Sequence, residues 1–480
     1  MMIQSCDECG RVRDLEKEIE RLNGIIVSLQ EKLKESVRVN RMDSSNSSKP
    51  PSSDGYRKPK PTSLRVRSGR SPGGQPGHSG HNMAVPHEPD EVIDHYPIKC
   101  EGCPRFSECR SGTSFSCSES RYVVDAVMLT KVTEHRRIDA VCPMESIDSG
   151  SVSGSFPENV KAHVQYGDSF AVVTGLLDTY GAMSDSRISE LMRAFFDVTL
   201  SPGTVVSMTK RCAEMVGPAL ESIRKAIVES PVAHFDESGA RTCGNLEWVH
   251  NSSTDLFTYL TLSPNRGTIG IDDNGVLPKF NGVAVHDCWP SYFRYDDIKH
   301  SICCAHILRE LKGIESYEPD HRWPGMFEYL LLSMKSAKEE AQSRGEDHLT
   351  DEEWEYYQWF YDQAMMVADR ECPPPPEPVV KPKGRKRRGK ERSLIERLRD
   401  LKDQIFLFAM DFQVPFDNNQ AERDIRNVKT KIKVAGCFRS REGAHYYLDI
   451  TSYLSTARKH GIGMFDAMRS AFNGNSDNAF

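Results

Sequence analysis

No stretch of this 480-residue chain is apolar over enough length to cross a bilayer, and its first residues are not an apolar segment ending in a small-residue cleavage site. The expectation is a cytoplasmic protein with no membrane partner. A basic excess is also missing: 62 Lys and Arg stand against 69 Asp and Glu, a formal net charge of -7, so composition alone does not mark a nucleic-acid binder. The charge is nonetheless uneven. No acidic residue occurs between Asp54 and Glu88, where Arg57, Lys58, Lys60, Arg65, Arg67 and Arg70 lie, and seven of the ten residues from Lys381 to Lys390 are Lys or Arg. Strand signals are lacking from about Tyr317 to Val414. A chain this long exceeds one core and implies two or three domains with linkers.

What is present is ordered along the chain. Leu15, Ile19, Leu22, Ile26, Leu29 and Leu33 alternate steps of four and three between charged residues, an a/d seam predicting a coiled coil over 10–40 and hence self-association; packing of the same face onto the body of the protein is the alternative. Residues 43–86 are rich in Ser, Pro, Gly and Lys/Arg without apolar periodicity, so they are expected to form a disordered basic linker, either a solubilising spacer or a segment that neutralises DNA phosphates. Fourteen cysteines in a reducing compartment are expected to be buried thiols or metal ligands. Cys100-x-x-Cys103 has the spacing of a zinc knuckle, with a second pair to come from Cys109, Cys117 or Cys142, which predicts a small zinc-finger-like domain over 87–148.

Residues 155–229 have the pattern of a helical block. Ser184 and Ser201 are N-cap candidates, Pro202 suits a first turn, and two amphipathic segments joined by DVTLS form a helix-turn-helix pattern that serves either a core or DNA. From Pro231 the pattern changes to short β-branched and aromatic runs: VAHFD, EWVHNSS, LFTYLTL and, after a helix-length gap, GVAVHD. Together these predict a multidomain α/β protein, with a first core segment over 230–316, a helical insertion with a basic loop over 317–414, and a last core segment over 415–472. The segment from Ile302 to Leu311 has a helical pattern.

Three acids stand out. Asp236 closes VAHFD and Asp287 closes GVAVHD, so both are expected at strand ends of one sheet. Glu422 lies in a helix expected to start near Asn418 or Asn419, where Glu422, Arg426, Lys429 and Lys433 recur at helical spacing on one face. Two metal ions sharing three carboxylates, beside a basic stripe for phosphates, would perform phosphoryl transfer on nucleic acid. Taken singly, each aspartate is more often a cap or turn residue and such a helix more often a salt-bridged surface.

HFDESG around Asp236, HDCWPSYF around Asp287, HSICCAHILREL from His300 to Leu311, and DNNQAERDIRNVKTKIKVAGCFRS together resemble the transposases of the insertion sequence 66 family. The likeness runs over nearly the whole chain, including the leucine-zipper-like helix, the SSKPPSSDG linker ending in GGQPGH, the cysteine cluster and the helical block. It implies a DDE transposase with a ribonuclease-H-like core and a catalytic triad of Asp236, Asp287 and Glu422. Two Mg2+ ions per site are implied, with Mn2+ able to substitute, and structural Zn2+ in the cysteine domain. Asn418, Asn419, Arg423, Arg426, Lys429, Lys433 and His306 are implied contacts to DNA or the scissile region, with Cys303 packed in the core. The implied partners are double-stranded DNA, as element inverted repeats and target, further copies of the chain, and accessory proteins of the element. Two positions depart from the family pattern. Glu145 follows Cys142 where a second regular knuckle is usual, so zinc uses Cys109 or Cys117 instead or is absent, and Cys304 replaces the usual Asn before His306. A regulator that binds DNA without cutting, and a nuclease that cuts without joining, are the alternatives.

Overall fold

The computed structural model describes residues 152–374 and 389–476 without interruption, and beyond them 18, 19, 21–23, 26, 88–96, 98–111, 117, 120–124, 128–140 and 480. The linker at 43–86, Cys142 and residues 381–388 of the basic run lie outside the described residues. Of the heptad segment, Glu18, Ile19, Arg21, Leu22, Asn23 and Ile26 are helical and exposed, the seam residues Ile19, Leu22 and Ile26 among them. Among the described residues no helix is long and apolar enough to cross a membrane.

The chain divides into two compact units. The smaller comprises Ser63–Pro157 with Ala194–Val198. Its described parts include two short helices, Ile98–Glu101 and Phe106–Ser111, and a two-residue antiparallel ladder of Asp139–Ala140 with Val152–Ser153. Cys103, Cys109 and Cys117 are exposed and Cys100 is half-buried.

The larger unit contains helices α1 (Asp168–Thr179), α2 (Asp185–Phe196, whose last residues group with the smaller unit) and α3 (Pro202–Val228). Ser201 caps α3 by accepting a hydrogen bond from the Thr204 N–H, and Pro202 occupies the first turn, where a missing N–H costs nothing. Val205, Met208, Cys212, Val216, Ala219, Ile223 and Ile227 form the buried stripe of α3, recurring at the steps of three and four that keep one helical face inward.

A five-stranded mixed sheet follows, confirming the expected α/β class. Strands β1 (Val232–Thr242), β2 (Asn245–Ser253) and β3 (Thr258–Ser263) form an antiparallel meander; after helix α4 (Thr268–Asn274), β4 (Val283–His286) and β5 (Lys299–Ile302) join in parallel, giving the order β3-β2-β1-β4-β5. The β1–β2 hairpin turns on Cys243 and Gly244, both at positive φ, which matches the twist a two-residue hairpin needs. Residues Lys299 to Ile302, whose charged and polar side chains give no strand signal, are held as β5 by β4, so the helix expected from Ile302 starts at Cys304.

The remaining helices are α5 (Cys304–Tyr317), α6 (Trp323–Ser343), α7 (Asp351–Glu371), α8 (Lys390–Asp400), α9 (Lys402–Met410), α10 (Asn419–Asp424), α11 (Arg426–Ala435), α12 (Arg441–Lys459) and α13 (Met464–Phe472). Two apolar cores flank the sheet among the described residues. Val283, Val285 and Ile302 of the parallel strands pack with α5 to α9, centred on Trp323, Phe327 and Phe408. Val249, Leu260 and Leu262 of the meander pack with Ile425, Val428, Tyr447 and Leu448. The outer edge of β3 is covered by α12, where Ser452 and Thr456 hydroxyls accept the Leu260 and Thr258 N–H groups that an open edge would leave unpaired.

Candidate active site

Asp236 does not end its strand. The β1–β2 pairing continues to Thr242↔Asn245, but the parallel pairing of β1 with β4 stops at His234↔Val285. Asp236 therefore lies just past the point where its parallel neighbour ends, and Asp287 is the first residue beyond β4. The two aspartates share the carboxyl-end rim of the parallel strands, where crevices form in α/β sheets. Beneath the rim a part-buried chain, His286 to His300 (2.9 Å) to the Tyr295 carbonyl (2.9 Å), stiffens the end of β4. Burial pushes His286 down to about 3, so it is neutral.

Helix α10, six residues long, brings Glu422 to this rim. Its N-cap residue Asn418 does not cap it. The Asn418 amide instead donates to the Phe235 carbonyl (2.7 Å) and accepts from His234 Nδ1 (2.8 Å), while its backbone N–H donates to Cys303 Sγ (3.1 Å). A carboxylate in that place could not donate to Phe235, so the position calls for an amide. Asn251 donates to the Ala421 carbonyl at 3.0 Å. At the far end of α10, Asp424 is paired with Lys459 Nζ at 2.8 Å, with both side chains at most 10 % exposed. The same ammonium holds the Thr254 and Phe257 carbonyls of the β2–β3 turn.

The Glu422 carboxylate meets Arg309 Nη2 at 3.1 Å and lies 3.7 Å from His306 Nε2. Both partners project from α5, three residues apart and so on one face. Asp287 accepts the Trp289 N–H at 2.9 Å, and Asp236 accepts the N–H of Glu237 at 2.9 Å. Among the described residues neither aspartate has a cationic side chain in salt-bridge contact.

The electrostatics follow. Asp236 lies deep among protein atoms while keeping some surface open. Burial first, then the charges of Glu237, Asp287 and Glu422, push its pKa up to about 8, partly offset by Lys429. Asp287 is also raised, by burial and then by Glu237, against the Trp289 N–H, His306 and Arg266. His306 is lowered, by burial and then by Arg309, with Glu422 and Asp287 opposing. These mutual influences bring Asp236, Asp287, Glu422 and His306 into one electrostatic neighbourhood. Among the described residues no group of three or more His, Cys, Asp or Glu is placed, as it stands, to hold a metal ion.

The basic stripe is divided. At Ile425 the helix breaks between α10 and α11, and the stripe residues take different surroundings. Lys429 is half-buried and its charge acts on Asp236, whereas Arg426 and Lys433 are exposed with no acidic partner among the described residues. Arg423 is exposed and hydrogen-bonds Gln420; Asn419 is half-buried. Expected as a DNA contact, Asn418 is instead 2 % exposed with both ends of its amide used within the protein, a positioning role. Cys303 is buried in the core, as expected.

Three site residues went unseen in the sequence. Arg309 is one, although its spacing from His306 in HILREL was the available signal. Glu237 is another: it lies beside Asp236 in HFDESG, is bonded to Arg266 (2.8 Å) and the Tyr292 hydroxyl (2.6 Å), and its charge reaches both aspartates. Arg266 in turn lies over the rings of Trp248 and Trp289, 4.8 and 3.8 Å from their centroids. The third is Lys431, buried within the basic helix and bonded to Asp178 Oδ1 at 2.7 Å and to the Met183 carbonyl at 2.6 Å, which ties α11 to α1 and the loop that follows it.

No curated protein matches the chain. A family of unknown function (DUF6444) matches residues 7–84. The model described as Transposase IS66 family matches residues 180–446, more than half of the 480 and the span that holds all three carboxylates, Arg309 and the basic helix, so the chain belongs to the IS66 transposase family.

Proposed function

We propose that this chain is a DDE-type DNA transposase that binds the ends of its element, cleaves at their 3' ends and joins the freed hydroxyls to target DNA. The observation that carries this reading is the convergence of Asp236, Asp287 and Glu422 at one rim of the sheet, from three distant parts of a chain whose family acts on DNA. The strand order, a three-stranded meander with two parallel strands added beside its first strand, is that expected of a ribonuclease-H-like core.

The donor set fits hard divalent cations. Three carboxylates supply oxygen ligands, and Asp236 is held among protein atoms with a raised pKa and a single N–H donor, a deficit of positive charge that a cation would fill. Asp236, Asp287 and Glu422 would hold two Mg2+, with Mn2+ able to substitute. When bound, such ions activate water or a 3'-hydroxyl and stabilise the leaving oxygen. The protein's own residues orient and neutralise. Asn418 and the Asp424–Lys459 pair hold Glu422 in place, Trp289 orients Asp287, and Arg423, Arg426, Lys429 and Lys433 face the phosphates of the cut strand.

In the smaller unit, Cys100 and Cys103 with two of Cys109, Cys117 and Cys142 would hold a structural zinc. Stoichiometric zinc in purified protein, lost on Cys100→Ser, tests this. Self-association through the heptad helix would contribute to synapsis, and accessory proteins of the element would act with it.

The decisive assay presents labelled element ends with Mg2+ and a target plasmid. Cutting and joining is the expected outcome. No cutting indicates a DNA-binding regulator, and cutting without joining a nuclease. Asp236→Asn, Asp287→Asn and Glu422→Gln should each reduce cleavage to background with end binding retained; retained cleavage in any of them removes that residue from the triad.

A further inference from the structure

We propose that Arg309 is a phosphate-binding residue of the active site, held by Glu422 until DNA arrives, so that the same carboxylate is released to metal only when a phosphodiester takes the guanidinium. The inference rests on the reading of Glu422 as a metal ligand.

Three observations carry it. First, Arg309 Nη2 donates to Glu422 Oε1 at 3.1 Å, and the two side chains are 25 % and 31 % exposed, so the pair lies at the mouth of the site, within reach of an incoming strand. Second, the guanidinium is not fully engaged. Its Nε donates to the Ala305 carbonyl at 3.3 Å and Nη2 to Glu422, while Nη1 makes no hydrogen bond among the described residues. A planar fork with donors to spare suits a phosphate, which accepts two parallel N–H bonds. Third, Glu422 is the member of the triad whose carboxylate has an arginine partner, whereas among the described residues Asp236 and Asp287 accept backbone N–H groups alone. The helix bearing Glu422 is fixed at both ends, by Asn418 and by Asp424–Lys459, so exchange of partners requires only side-chain movement of Arg309 and Glu422.

The consequence is linkage: phosphate and metal each remove one partner of the ion pair, so each should favour binding of the other by the same factor. Without DNA, Arg309 competes with the metal for Glu422. With DNA, it neutralises the phosphate next to the metal.

Mn2+ binding to the full chain, followed by electron paramagnetic resonance with and without a random-sequence duplex, tests this without requiring cleavage. In the wild-type chain the duplex should tighten Mn2+ binding. In Arg309→Ala the DNA-free chain should bind Mn2+ roughly three- to tenfold more tightly than wild type, the scale of a partly exposed charged contact, and the duplex should add little. Arg309→Lys, which keeps the charge but not the fork, should lie between them and guards against misfolding of the alanine variant. Unchanged DNA-free Mn2+ affinity in both variants overturns the proposal. Glu422→Gln separates the two levels: if it binds Mn2+ as the wild type does, the catalytic reading itself fails; if it binds more weakly while the Arg309 variants match wild type, only the exchange of partners fails.

Discussion

Helices α10 and α11 are consecutive, separated by Ile425 alone, yet they treat their polar groups in opposite ways. In α10 nearly every one is engaged: Asn418 with β1 and Cys303, the Ala421 carbonyl with Asn251, Asp424 with Lys459, Glu422 with Arg309. In α11 only the inward side is engaged, through Val428 in the core and Lys431 on Asp178, while Arg426 and Lys433 stand in solvent. In the proposed triad Glu422 must meet two other carboxylates, which needs a fixed backbone, because an error of about 1 Å is costly in a catalytic constellation. In the proposed DNA interface the cations of α11 need only be free and positive.

Breaking the seat should have the largest effect on stability. Asp424→Ala or Lys459→Ala leaves a buried charge without its partner and should cost about 3–5 kcal/mol in unfolding free energy, measured by denaturant titration. Asn418→Ala orphans groups on β1 and should cost about 1–3 kcal/mol, with cleavage falling more than end binding. A loss of less than about 0.5 kcal/mol in these variants would show that α10 is no more tightly held than α11.

On the α11 side the contrast reverses. Arg426→Ala and Lys433→Ala should leave stability within about 0.5 kcal/mol, since neither makes an ion pair. Each should weaken DNA binding across sequences and reduce the slope of log affinity against log salt by about 0.9. An unaltered salt slope would remove these residues from the DNA interface.

A further contrast lies on α12, which carries Lys459 and also an acid with no ion-pair partner among the described residues. Burial raises Asp449 to about 6. Because its folded-state pKa lies above the ordinary carboxylate value, ionisation costs stability above pH 6, and that cost is lost as pH falls through 6 toward 4. Asp449→Asn should therefore stabilise the protein near pH 7.5 and do almost nothing near pH 4, measured as the difference in unfolding free energy. A gain independent of pH would assign the effect to packing. Asp424, by contrast, has Lys459 to balance it.

Much of the architecture was legible locally. The steps of three and four in α3, the Ser201 cap with Pro202, and the short β-branched and aromatic runs of β1 to β4 are encoded within a few residues of themselves, as was the family motif around Glu422. The short strand β5 was not, because Lys299 to Ile302 has no strand character of its own and takes its conformation from β4. The single stripe expected from Glu422 to Lys433 divided for a related reason: helical spacing specifies which residues share a face, but not where the protein around them opens to solvent.

By itself the sequence determined the class of fold and the family, and it nominated the three carboxylates of the proposed triad. What the tertiary structure decided is how the remaining polar residues are used. His234 and Asn418 are 184 residues apart, and Arg309 and Glu422 are 113 apart. Whether an asparagine faces DNA or clips a strand, and whether a glutamate faces metal or an arginine, depends on which donors and acceptors folding leaves without water, and no local periodicity carries that information.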